Sequence, residues 1–368
     1  LAFFLREGDD FHLHLFDLDD RRVQRVDLDT DLPIASNSRL DWRPDGSGLL
    51  LDLRAADWAE RARAAFLEMT EGPIVVQDGS DPFLDWDRVR NMGALIRPAL
   101  ARLDGEVEVL LPEGNWRDIT QSEDGQWFAI EGRKPLKTVY EGGGGSENRL
   151  LRMNVASRDT AYVVEPDTEG ISTNWAPDGT RYVYSDEGHI HLRSIFEDSA
   201  VVLTEAFEGQ VSESDTTELR FRAVRWRPDG GALLVDSQRG WHLLDLETNE
   251  LDLFYPMSEE EREDGPRMSP FGWSEDGRFL YVSESSRDEW LRGIAVVDLE
   301  TNIWNTQVQP RTTFSGLRLA ENGSRIILEM SDGDRPEELH AIEVGADGVP
   351  DVGGARALTD LNPWLDEV

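Results

Sequence analysis

The chain has 368 residues, 74 acidic against 37 basic, for a net charge of −37. That balance repels phosphate and argues against nucleic acid or an anionic membrane as partner. Cysteine is absent, which removes disulfides, thiol catalysis and Cys-ligated metal, and no apolar run approaches the ~18 residues of a membrane-spanning helix.

The first predicted element is the hydrophobic strand Leu1-Ala-Phe-Phe-Leu5, followed by Phe11-His-Leu-His-Leu-Phe-Asp-Leu18 and Val23-Gln-Arg-Val26. Then comes a cassette, Trp42-Arg-Pro-Asp45-Gly46, with Leu49-Leu-Leu-Asp-Leu53 behind it. Pro fixes φ near −65° and Gly accepts positive φ, so such a cassette reads as a tight hairpin between two strands. Ala55 to Met69 interrupts with a composition rich in Ala, Arg and Glu that predicts a helix, with Asp57 as N-cap. Its spacing predicts one buried face of Trp58, Ala62, Ala65, Phe66 and Met69. An apolar strand, Pro73 to Gln77, and an aromatic turn, Pro82-Phe83-Leu-Asp-Trp86, follow.

The cassette returns as Ser122-Glu-Asp124-Gly125, Trp175-Ala-Pro-Asp178-Gly179, Trp226-Arg-Pro-Asp229-Gly230 and Trp273-Ser-Glu-Asp276-Gly277, each before a strand. A degenerate copy is Ala320-Glu-Asn-Gly323. Between these, Glu141-Gly-Gly-Gly-Gly-Ser-Glu147 reads as a flexible Gly-rich loop, and 205–217 as a solvated acidic excursion. From the first residue of each following strand (49, 127, 182, 233, 279, 326) the steps are 78, 55, 51, 46 and 47 residues. Leu1 lies one further period before Leu49. Four steps near the ~40 to 50 residues of a four-stranded blade predict an all-β, seven-bladed β-propeller occupying 1–368 as one domain. Its first blade is expected to lack an opening strand, and the long step marks 55–111 as an insertion between blade elements.

The residues that could carry chemistry are weighed against that ruler. His14, His191, His242 and His340 fall in one repeat slot in four blades, so they are not one metal site. Trp42, Trp175, Trp226 and Trp273 recur before the turns, which predicts packing anchors and not a stacking ring. Asp27 to Asp31 and Asp85 to Asp87 lack the glycine and distal glutamate of a calcium loop. No Gly-x-Ser-x-Gly elbow or phosphate loop is present, so no catalytic residue, metal or cofactor is assigned. Trp58, Phe66, Phe83 and Trp86 of the insertion, with Glu141 and Glu147, are the candidates for substrate gating or docking, because insertions of a repeat array cluster on its binding face.

The cassette resembles the propeller repeat of TolB-type proteins and of prolyl oligopeptidase-family serine peptidases. Thr70 to Val76, Asp81 to Leu84, Ser146 to Leu150, and the tail Arg335 to His340 with Ala355 to Leu365 look like the peptidase family. The resemblance implies a non-catalytic propeller that gates short peptides for an α/β-hydrolase domain of the same parent protein, in the periplasm or outside the cell. The alternatives are a free-standing TolB-like interaction propeller, a propeller hydrolase or lyase acting on sugars with channel carboxylates, and a cytoplasmic location.

Overall fold

A computed structural model describes residues 1–72, 83–139, 143–167, 172–207, 219–289, 291–320, 322–331 and 336–364. Seven antiparallel sheets form the seven blades of a β-propeller. By compactness the chain divides into two units. One holds Leu1–Ser172 with Asp178–Arg181 and Ser194–Ser199; the other holds Thr173–Pro177, Tyr182–Arg193 and Ala200–Val368.

In the first unit, blade 1 has three strands, β1 (Ala2–Glu7), β2 (Asp10–Asp17) and β3 (Arg22–Val26). Blade 2 is β4 (Leu40–Trp42), β5 (Gly48–Leu53), β6 (Arg97–Arg102) and β7 (Val107–Val109), with helices α1 (Trp58–Thr70) and α2 (Asp85–Gly93) between β5 and β6. Blade 3 is β8 (Trp116–Gln121), β9 (Trp127–Val139), β10 (Gly143–Asn154) and β11 (Thr160–Asp167). Blade 4, which falls almost wholly in the second unit, is β12 (Asn174–Trp175), β13 (Arg181–Asp186), β14 (His189–Ser194) and β15 (Val201–Val202).

Blade 5, in the second unit, is β16 (Arg222–Trp226), β17 (Ala232–Ser237), β18 (Gly240–Asp245) and β19 (Leu251–Pro256), followed by the short helix α3 (Glu259–Glu263). Blade 6 is β20 (Arg267–Trp273), β21 (Phe279–Ser285), β22 (Leu291–Asp298) and β23 (Ile303–Pro310). Blade 7 is β24 (Thr313–Leu319), β25 (Arg325–Ser331), β26 (Glu338–Glu343) and β27 (Arg356–Ala357).

The turn chemistry is uniform. In Arg43-Pro-Asp-Gly46 the Gly46 N–H donates to Arg43 O at 2.9 Å, Gly46 sits at φ 69°, and the Asp45 carboxylate accepts from Ser47 N at 3.0 Å. Blade 5 repeats this with Gly230 N to Arg227 O at 2.9 Å, Gly230 at φ 66°, and Asp229 accepting from Gly231 N at 2.9 Å. This is a type I turn closed by a left-handed glycine, whose twist suits a hairpin. Hydrogen bonds to the ionised form hold these carboxyls below the usual range: from Ser47 for Asp45, from Arg227 for Asp229 and from Ser274 for Asp276.

The strand after each turn forms the core. Leu49, Leu50 and Leu51 are fully buried, as are Leu233, Leu234 and Val235. Trp226 and Trp273 sit in clusters that join neighbouring blades of the second unit, and the Trp226 indole donates to Asn174 O at 3.0 Å. Trp175 lies against Tyr182. Trp42 differs: it is 42% exposed and belongs to none of the buried clusters among the described residues.

Four expectations need correction. The insertion in blade 2 ends before Arg97, because 97–109 supplies that blade's third and fourth strands. Phe66 is 46% exposed, off the buried α1 face of Ala65 and Met69. Trp86 stands in helix α2 and not in a turn. Gly143 to Glu147, read as loop, is the start of β10 paired with β9, where tertiary pairing outweighs the entropy cost of glycine. Pro73 to Gln77 and Glu141 lie outside the described residues.

Candidate functional site

The departure from the repeat is concentrated in blade 2, where Arg39, Asp52 and Arg54 occupy ground that sheets normally fill with apolar side chains. Pro33 to Ser38 runs back along β5: Ile34 bridges Leu53, Ala35 N–H donates to Asp52 O at 2.9 Å, and Arg54 N–H donates to Pro33 O at 2.8 Å. Under it Asp52 is 3% exposed, and its carboxylate takes Arg39 Nε at 2.9 Å and Arg39 N at 3.2 Å. Ser38 Oγ accepts from Asp52 N at 2.7 Å and donates to Arg39 O at 2.8 Å, so the pair sits in a satisfied network.

Arg54, 5% exposed, ties the helices to the sheet. Its guanidinium donates to Leu95 O, to Gly93 O at 2.9 Å and to Asn37 Oδ1 at 3.1 Å. Two of these acceptors are at or just past the carbonyl end of α2, where a cation opposes the negative pole of the helix. The Trp58 ring lies 4.3 Å from the Arg54 guanidinium carbon, and Trp58 Nε1 donates to Met92 O at 2.8 Å. Burial pushes the Arg54 guanidinium below its usual range, with Asp52 and Glu113 acting against it. Arg61 of α1 donates from Nη2 to both carboxylate oxygens of Glu113, at 2.7 and 3.0 Å, and Arg88 of α2 reaches Glu68 of α1 at 2.8 Å.

The insertion is therefore a braced two-helix layer that holds apolar side chains outward. Phe66 is 46% exposed, Leu67 54% and Trp86 61%; Phe83 is half-buried just ahead of α2. Of the residues singled out from sequence, Trp58 belongs to the brace, while Phe66 and Trp86 are presented to solvent. Glu147 is elsewhere, in a cross-strand ion pair with Lys134 at 3.1 Å on β10 and β9. Sequence reasoning missed Arg39, Asp52 and Arg54; the signal was Asp-Leu-Arg closing an otherwise apolar strand.

A second arrangement, in blade 5, invites comparison with a serine nucleophile. Ser237 Oγ and His242 Nε2 are 2.8 Å apart, both side chains buried. Ser237 Oγ also accepts from Arg239 N at 3.1 Å, and no described residue bonds His242 Nδ1. A triad needs that nitrogen held by an orienting carboxylate and the hydroxyl open to substrate. Burial pushes His242 down to about 4, so the pair serves as an internal polar contact. His14, His242 and His340 pair with Phe3, Val235 and Leu328, the same place in each blade, and His191 stacks on Tyr184 at 5.0 Å. Among the described residues no group of three His, Asp or Glu is placed to hold a metal ion, and no helix is long and apolar enough to cross a membrane.

No protein-family model matches the chain, and no curated protein matches it. Solved structures do. An oligogalacturonate lyase from Vibrio parahaemolyticus aligns with TM-score 0.54 at 13% identity over 98% of this chain and 85% of that one. The β-propeller domain of the Trilobed protease from Pyrococcus furiosus, described as having an open velcro topology, aligns with TM-score 0.50 at 13% identity over 98% and 96%. A prolyl endopeptidase aligns with TM-score 0.50 at 14% identity over 89% of this chain and 44% of that one. At such identities the likeness is one of fold, and the class is that of seven-bladed propellers.

Proposed function

We propose that the chain is a non-catalytic binding propeller that selects short peptides for a serine-peptidase domain of the same parent protein. The observation that carries this reading is the braced insertion on blade 2, which keeps Phe66, Leu67 and Trp86 in solvent on a layer fixed by Arg54 and Arg61. Rigid presentation of aromatic side chains is how interfaces obtain binding energy at low entropic cost. The likeness to a protease's propeller domain over 96% of that domain supports the peptidase setting. The net charge of −37 favours cationic peptides and repels acidic ones.

The test is equilibrium binding of fluorescent tetra- to octapeptides, alongside a chromogenic peptide hydrolysis assay. Arginine-containing peptides are expected to bind in a salt-sensitive way, acidic ones to fail, and no turnover to occur. Turnover by this chain, or binding indifferent to peptide charge, overturns the reading. A free-standing interaction propeller would use the same exposed layer with a protein partner; retention of peptide binding in Trp86→Ala with loss of protein binding would favour it.

A further inference from the structure

One position of the repeat changes its chemistry from blade to blade: the residue just before the Trp slot on each opening strand. In the second unit it is Asn174 opposite Val183, Arg225 opposite Leu234, Gly272 opposite Tyr281 and Arg318 opposite Ile327, with Leu319 in the Trp slot of blade 7. Opening strands of neighbouring blades run against each other here, β12 with β16 and β20 with β24. The position therefore recurs where the blades converge. Asn174 Nδ2 donates to Val224 O of the next blade at 3.3 Å, and Arg225 Nη2 donates to Pro270 O of the blade after at 3.5 Å. A neutral amide makes the cross-blade bond at the shorter distance, so the bond does not account for an arginine.

What remains is charge without a counter-charge. Arg222, Arg227, Arg262, Arg278 and Arg325 of this unit each hold an aspartate or glutamate. Arg225 holds neither, and its buried Nε bonds no described residue. Arg318 is exposed and makes no hydrogen bond or ion pair among the described residues. Burial first, and the like charge of Arg318 second, push the Arg225 guanidinium below its usual range, so the two cations lie within electrostatic reach. In the blade between them the slot is Gly272, where an added Cβ would meet the Leu319 side chain at 3.1 Å. No side chain from that slot separates the arginines. In a chain with 74 acidic residues against 37 basic ones, two uncompensated arginines that repel each other mark a place for an anion.

We propose that Arg225 and Arg318 form a carboxylate-binding site on the converging opening strands of blades 5 to 7. A guanidinium fork matches the two oxygens of a carboxylate, and the Arg225 Nε–H is a donor with no other use. The carboxylate can be the free C-terminus of a peptide or belong to a small free acid. The first source rests on the peptide reading above; the site itself does not.

The experiment measures binding to the 368-residue chain by titration calorimetry at fixed ionic strength. The probes are N-acetyl-Ala-Arg-Ala-Ala as free acid, the same peptide as C-terminal amide, and succinate. The net charge of −37 favours the more cationic amide, so preference for the acid reports a local cation. The acid is expected to bind about tenfold tighter than the amide, with succinate competing. Arg225→Gln and Arg318→Gln should each weaken acid and succinate about tenfold; the glutamine amide at the first still reaches for Pro270 O. Should Arg225→Gln misfold, the exposed Arg318→Gln decides. Arg325→Gln removes the same charge from an exposed pair with Glu343 and should change binding less than about twofold. Succinate binding that is lost in Arg225→Gln and Arg318→Gln, with neither peptide bound, supports the site and overturns the peptide reading. Acid and amide bound alike with succinate unbound overturns the site and leaves the peptide reading standing. No binding of acid or succinate at ~10 mM, or an equal loss in Arg325→Gln, also overturns the site.

Discussion

Blades 2 and 5 carry the same ion pair in opposite surroundings. The aspartate three residues beyond the first core leucine, Asp52 in one and Asp236 in the other, faces an arginine at the start of the opening hairpin. Arg39 and Asp52 are covered, with side chains 12% and 4% exposed; Arg222 is 72% exposed beside Asp236 at 16%. In blade 2 the 33–38 segment covers the pair. In blade 5 the aspartate instead takes a second cation, Arg262 of α3, at 2.9 Å. One repeat position thus serves as an exposed surface contact or as a committed interior one, depending on what is laid over it. The blade that gained a covering layer also gained the inserted helices.

The largest effect is expected from Arg39→Ala, which strands a buried carboxylate. It should destabilise by about 3 to 5 kcal/mol in urea unfolding, while replacing both Arg39 and Asp52 by leucine restores most of the loss. Equal effects of the single and double replacements would show that the charge is not what costs.

A smaller effect, read in pH, separates the interior polar groups of blade 5 from its surface pair. His242 is held down to about 4 by burial, below the ordinary value of 6.5. The unfolded chain therefore takes up a proton that the folded chain refuses. Stability present above pH 6.5 is lost as pH falls towards about 4. His242→Gln should level the urea midpoint across that window; an unchanged slope would assign it to other groups.

The smallest effect is expected from Arg222→Ala. Exposed pairs contribute about 0 to 1 kcal/mol, Arg262 still holds Asp236, and added salt should erase the remainder. A loss matching that of Arg39→Ala would erase the distinction between the two blades.

The fold was legible because the turn is a local device: Pro, Asp and Gly impose their geometry whatever lies around them, so spacing alone measured the blades. The site was less so. Helix α1 announced itself by composition, but α2, Asp85-Trp-Asp-Arg-Val-Arg-Asn-Met-Gly93, is short and polar, and its stability comes from Arg54 and Trp58 beyond its own span. Phe66 was assigned to the wrong face because it lies at the edge of the predicted stripe, about 100° around the helix from Ala65, and only the packing shows where the buried stripe ends. Gly143 to Glu147 was misread because glycine carries no strand signal, while pairing with Lys134 to Val139 is a property of the hairpin. Arg39 and Asp52 become a buried pair only when 33–38 folds back over them.

Each strand neighbours the next one in sequence within its sheet, from β16 through β19 and from β20 through β23. As this polypeptide emerges from the ribosome, a blade can close on residues already outside the tunnel, without waiting for distant partners. β5 is the exception: its second neighbour, β6, follows only after the inserted helices. Synthesis of this protein should therefore dwell longest, with apolar strand exposed, between Leu53 and Arg97.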